Sequence, residues 1–147
     1  MYDALYQAGV ACDPAHTNIG STIYANMPGD GSAREQAASS QRIVGASANL
    51  AKKYATKRYR SNCINWGILP FTLPEGAEFP FAVGDCVFVP DIRQAVAAGQ
   101  ETIHATVIRT DGTTAPLALK LCGLTEEEKQ IILAGCLMNW YAAHAKK

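Results

Sequence analysis

The hydrophobic and polar positions change rhythm several times along the chain, and each change marks an element. Residues 19–25 are rich in β-branched and aromatic side chains, which predicts a strand stopped by Pro28-Gly29-Asp30-Gly31. From Ser32 to Val44 the residues turn to helix formers, mainly Ala, Glu, Gln and Arg, and Gly45 supplies a stop. A strand, a glycine loop and a helix therefore follow one another. A second strand is predicted around 47–51, and a second helix over 54–65 closed by Gly67 and Pro70.

After a connection containing Pro74 and Pro80, Gly84-Asp85 leads into a short strand, Cys86 to Val89, and Asp91 is placed to cap a brief helix reaching Ala98. Thr102 to Arg109 and Thr113 to Leu121 flank Asp111-Gly112. That pair predicts a hairpin with a type I′ turn, both central residues taking positive φ. Thr125 and Glu128 have capping-box spacing at the head of a final helix, with Lys146 and Lys147 closing its end in agreement with the helix dipole. Leu133, Leu137, Trp140, Tyr141 and His144 fall on one side of that helix, the side expected to pack on the core. Residues 1–17 carry the weakest pattern, a helix-like start broken by Cys12-Asp13-Pro14.

These elements predict an α/β fold, a small sheet flanked by helices. At 147 residues with 48% hydrophobic content the chain is expected to form one domain over 1–147. Lys plus Arg and Asp plus Glu both total 13, so no global field draws the protein to nucleic acid or to a membrane, and any electrostatic function must be local. No run approaches the roughly 18 apolar residues of a membrane span and no basic-then-apolar leader opens the chain, so a soluble, cytoplasmic protein is expected. The five cysteines, Cys12, Cys63, Cys86, Cys122 and Cys136, are odd in number and scattered, the pattern of reduced thiols and not of a disulfide framework.

The chemistry concentrates in Gly29-Asp30-Gly31-Ser32-Ala33-Arg34-Glu35-Gln36. Glycines ahead of a helix let backbone N–H groups approach a ligand, and the helix dipole makes that ligand an anion. A dinucleotide fingerprint would need glycine where Arg34 stands, and a phosphate loop would need Gly-Lys-Ser/Thr after it, so neither nucleotide motif is present. One reading makes Ser32 a helix N-cap with Glu35 as its capping-box partner. The other starts from Arg34, a cation in a first turn that favours anions, where a guanidinium could grip a carboxylate or phosphate beside the Ser32 hydroxyl.

This segment resembles the Gly-x-Gly-Ser-Ser-Arg-Glu-His-Ala signature of the aconitase family's swivel domains, including those of aconitase, homoaconitase and isopropylmalate isomerase. Tyr59-Arg60-Ser61-Asn62 and Gly67-Ile68-Leu69-Pro70-Phe71 resemble the family's aromatic-x-x-Asn and Gly-Leu-Leu-Pro stretches, and weaker similarity extends the span to about 19–139. The resemblance implies a swivelling β/β/α fold. It also implies part of a [4Fe-4S] hydro-lyase acting on a di- or tricarboxylic acid, with Ser32 as the base and Arg34 binding a substrate carboxylate. Gly31 and Ala33 would offer backbone N–H groups to the serine oxygen.

In this family the cluster cysteines lie in other domains, and no Cys-x-x-Cys occurs here. The implied cluster would therefore come from other domains in cis or from a large subunit in trans, this chain would bind no metal, and alone it would be inactive. Ala33 and Gln36 depart from the signature's second serine and its histidine. The family's opening strand segment has no counterpart before Ile19, so the chain is expected to lack it. A non-catalytic anion-binding or interaction domain is the alternative reading.

Cys12 and His16 are spaced as a metal pair could be, but no second pair stands nearby, and loop positions are expected for both. His104 and His144 carry no site expectation. Lys52, Lys53, Lys57, Arg58 and Arg60, interleaved with Tyr54 and Tyr59, form a basic cluster. It reads chiefly as a solvated helix face, with a docking surface or an RNA-binding surface as rivals.

Overall fold

A computed structural model describes residues 2–121 and 123–145. After a short helix α1 (Tyr2–Gln7), the chain runs β1 (Ser21–Ala25), α2 (Arg34–Ile43), β2 (Ala46–Ala51), α3 (Lys57–Asn65) and β3 (Leu69–Thr72). It continues through β4 (Cys86–Phe88), α4 (Ile92–Ala97), β5 (Thr102–Ile108), β6 (Thr114–Lys120), α5 (Glu126–Ala134) and α6 (Leu137–His144). The strands form one six-stranded sheet in the order β1-β2-β3-β6-β5-β4. The predicted α/β sheet with flanking helices is the one observed. Among the described residues no helix is long and apolar enough to cross a membrane.

The sheet has two halves of different character. β1, β2 and β3 are parallel and joined by α2 and α3, two successive strand-helix-strand crossovers. β6, β5 and β4 are antiparallel, and β3 joins β6 through the pair Thr72 and Lys120. The main core centres on the antiparallel half, where Val96, Ile103, Val107, Leu117 and Leu119 are buried together with Leu50 of β2 and Phe71 of β3. A second cluster, Ala38, Ala46, Tyr59, Cys63 and Ile68, fills the space among α2, β2 and α3. It fixes how the two helices lie against each other.

The structure departs from the predicted elements at five places. β3 was not anticipated as a strand, because Pro70 reads as a breaker. It survives because Pro70 pairs with Asn49 on one side, while the bridge to β6 falls two residues later at Thr72. The hairpin turn is not type I′: Gly112 has φ 83°, but Asp111 is not among the residues of positive φ. Gly112 N–H donates to the Arg109 carbonyl and Arg109 N–H to the Thr113 carbonyl, both at 2.9 Å, which closes a three-residue loop with left-handed Gly112 last.

The predicted final helix is two helices, because Gly135 leaves α5 in a left-handed conformation and α6 starts afresh at Leu137. Tyr141 is 57% exposed and His144 is exposed, so those two do not face the core. The Thr125–Glu128 capping box is present, whereas Lys146, Lys147 and Cys122 lie outside the described residues. Asp91 does precede α4, but with φ 50° and no side-chain capping bond. Finally, α2 begins at Arg34 with Ala33 at its N-cap, one residue beyond the Ser32 cap of the first reading.

Candidate functional site

The parallel strands β1 and β2 both run into loops at one end of the sheet, and the helices after them start from that end. The two loops are sewn together, with Lys53 N–H donating to the Asn26 carbonyl at 3.2 Å and Ala55 N–H to the Pro28 carbonyl at 2.9 Å. The N-termini of α2 and α3 are therefore neighbours. Each carries a cation in its first turn, Arg34 on α2 and Lys57 with Arg58 on α3, and α3 has no acid there to offset them. Two helix dipoles and three cations, offset in part by Glu35 in the first turn of α2, give this edge a positive character.

Ser32 is exposed, and its hydroxyl makes no hydrogen bond among the described residues. Glu35 does not reach back to form a capping box. Its carboxylate accepts from Trp66 Nε1 at 2.8 Å. Arg34 is partly buried and donates from Nε to the Gly29 carbonyl at 3.2 Å, which leaves both terminal nitrogens without a partner among the described residues. Gly31 and Ala33 are exposed on either side of Ser32. The four predicted site residues thus occupy one accessible turn, with the serine uncommitted and the arginine tethered by its inner nitrogen.

What shapes that turn comes from α3. Gly29 has φ 94°, and a Cβ there would stand 2.5 Å from the Cβ of Tyr59, so only glycine fits. Thr56 caps α3 by accepting from Tyr59 N–H at 3.2 Å, and its hydroxyl donates to the Gly29 carbonyl at 3.1 Å. Asn62, in the amide orientation that satisfies both its atoms, accepts from Glu35 N–H at 3.1 Å and donates to the Arg58 carbonyl at 3.3 Å. Asn62 is thus the cap of α2 that Ala33 cannot be. Thr56, Tyr59, Asn62 and Trp66 recur at three- and four-residue spacing, one face of α3 laid along the loop.

Beneath this face lies a buried polar group. The Tyr59 hydroxyl accepts from Gln41 Nε2 at 2.8 Å and from Asn49 Nδ2 at 3.2 Å, joining α2, α3 and β2. Asn49 is 0% exposed and also reaches Gln41 Oε1 at 3.0 Å and Cys63 Sγ at 3.5 Å. Burial raises the Tyr59 hydroxyl above its ordinary range, and it pushes the Cys63 thiol up to about 11. Cys63 is therefore a protonated core thiol and not a nucleophile.

The other candidates separate from the site. His16 Nδ1 pairs with Asp13 Oδ2 at 2.5 Å on the exposed N-terminal segment. His104 is exposed on β5, and His144 lies 2.7 Å from the Trp140 carbonyl. In the basic cluster Lys52 faces Glu78 at 3.6 Å and Arg60 faces Glu128 at 3.4 Å. Tyr59 is buried, and the Tyr54 hydroxyl donates to the Phe71 carbonyl at 3.3 Å, so the stacking surface of the RNA reading lacks the Tyr59 ring.

Residues 19–76, the span holding both helix N-termini, match the Aconitase C-terminal domain family. That match supports an aconitase-type domain over this stretch of the chain. The chain is also similar to the 3-isopropylmalate dehydratase small subunit of Metallosphaera sedula, 34% identical over 105 residues, which cover 70% of this chain and 61% of the relative. The chain thus spans less than two thirds of that relative's length. The matched region of the aconitase-type domain contains the Ser32–Arg34 turn and the face of α3 that supports it, while the antiparallel half of the sheet lies outside the match.

Proposed function

We propose that this chain is the swivel-domain part of a hydro-lyase acting on a di- or tricarboxylic acid, working with a cluster-bearing partner, a large subunit in trans or further domains in cis. The observation that carries this reading is the accessible turn holding a free serine hydroxyl beside an arginine whose two terminal nitrogens are available. A dehydratase small subunit among its relatives supports the same class. Among the described residues no group of three or more His, Cys, Asp or Glu could hold a metal ion. The described residues do not fit the [4Fe-4S] cluster that the family resemblance implies, and the proposal assigns it to the partner.

In this reading a substrate carboxylate lies end-on against the terminal nitrogens of Arg34 in a bidentate pair. That contact sets the neighbouring carbon close to Ser32. The serine oxygen takes the proton from that carbon, and the N-terminus of α2, with the backbone N–H groups of Gly31 and Ala33, lowers the cost of its anionic form. Lys57 and Arg58 at the start of α3 add positive charge where a second carboxylate would lie. On this reading the partner closes the site over Ser32, which is open to water in this chain, and the chain by itself is expected to be inactive.

A second reading, a non-catalytic anion-binding domain, is favoured by Ala33 and Gln36, which replace a serine and a histidine of the family signature. Kinetics of the chain combined with its cluster-bearing partner separate the two. Ser32→Ala is expected to remove turnover while leaving substrate binding, and Arg34→Lys to weaken binding mainly. Normal kinetics in both variants would reject the catalytic assignment.

A further inference from the structure

We propose that Thr56 is a positioning residue for Arg34, acting through the backbone of Gly29; the proposal rests on the site reading above. The Gly29 carbonyl oxygen receives two donors, Arg34 Nε at 3.2 Å and Thr56 Oγ1 at 3.1 Å. The first comes from the helix that carries the site and the second from the N-cap of the next helix. A carbonyl has two lone pairs, and here both are engaged. Gly29 is also pressed against Tyr59, so its peptide plane is held from two directions.

The consequence for Arg34 is geometric. A guanidinium can meet a carboxylate through Nε and one terminal nitrogen or end-on through both terminal nitrogens. With Nε committed to Gly29 only the end-on edge remains, and its direction is set by the orientation of the Gly29 carbonyl. Thr56 fixes that orientation because its own hydroxyl is fixed in turn, accepting Tyr59 N–H at 3.2 Å as the cap of α3. The start of α3 thereby determines where an arginine 22 residues earlier in the chain points. Without the threonine hydroxyl the Gly29 peptide can rotate and Arg34 Nε becomes free, so the guanidinium samples side-on and end-on poses.

Three substitutions isolate the effect. Thr56→Val removes both the capping acceptor and the donor to Gly29. Thr56→Gly keeps a near-neutral cap residue but removes the donor, and Thr56→Ser keeps both. In the full chain, the Arg34 Nε–H signal followed by NMR is expected to show slowed exchange in the native protein and in Thr56→Ser, and the exchange of a free arginine in Thr56→Val and Thr56→Gly. In the assembled enzyme, Thr56→Val and Thr56→Gly are expected to raise KM about tenfold with kcat little changed, and Thr56→Ser to restore it.

Native Nε–H exchange in Thr56→Gly, or an unchanged KM in that variant while Arg34→Lys raises it, would overturn the positioning role. An unchanged KM in Arg34→Lys would instead reject the site reading, and the Nε–H measurement on the chain alone would still decide whether Thr56 orients Arg34.

Discussion

Gly29 lies so close to Tyr59 that a Cβ at position 29 would stand 2.5 Å from the Tyr59 Cβ. The contact joins the loop before α2 to the buried face of α3, and so couples the candidate site to the smaller core cluster. Gly29→Ala brings two penalties together, an L side chain at φ 94° and a clash with a fully packed ring. A loss of about 2 kcal/mol or more in urea unfolding is expected. A change below about 0.5 kcal/mol would show that the loop moves away from α3 without cost.

The cap of α2 gives a second prediction. Asn62 accepts from Glu35 N–H at 3.1 Å from a different helix, so Asn62→Ala should destabilise the chain by about 1 kcal/mol. The sharper readout is local. Hydrogen exchange of the Glu35 amide should accelerate well beyond that of amides in the middle of α2, because a cap loss frays the first turn. Equal acceleration throughout the helix would indicate general loosening instead.

Alkaline stability follows from the buried thiol. The Cys63 thiol titrates at about 11 in the fold against an ordinary value of 9.0, chiefly because burial disfavours the thiolate. Below pH 9 both folded and unfolded chains keep the proton and stability is unaffected. Between 9 and 11 the unfolded chain loses the proton first, so stability falls by up to about 1.4 kcal/mol per pH unit from this group. The hydroxyls of Tyr54 and Tyr59, also raised by burial, add to the loss from about pH 10 upward. Melting temperatures of native protein and Cys63→Val across this range should diverge, the variant having the shallower slope. Parallel slopes would remove Cys63 from the explanation.

Much of this was readable from the residue pattern, and the exceptions have physical causes. The Pro28-to-Gly31 loop between β1 and α2, the hairpin strands and the Thr125 capping box follow from local propensity and appear as expected. β3 stayed hidden because Pro70 signals a break, and only the pairing of the whole sheet shows that this position tolerates it. The helix start shifted from Ser32 to Arg34 because its cap comes from Asn62, a residue 27 positions beyond Glu35 that no local rule links to it.

Arg34 stands out in the sequence as a local violation of dipole preference, and Ser32 beside it through the resemblance to the family signature. The supporting face of Thr56, Tyr59, Asn62 and Trp66 was present in the chain as helical spacing, but its partner surface was not. Tyr54 and Tyr59, which could have read as stacking residues among cations, are drawn inward by the packing of α3.

The assignment of Ser32 as a base is tested most directly by proton exchange at carbon. The chain combined with its cluster-bearing partner is incubated with a hydroxydicarboxylate deuterated α to one carboxylate, and loss of the label is followed by NMR. The assembly with native Ser32 should wash the label out, and Ser32→Ala should slow this at least about a hundredfold while the acid still binds. Undiminished exchange in Ser32→Ala would contradict the account.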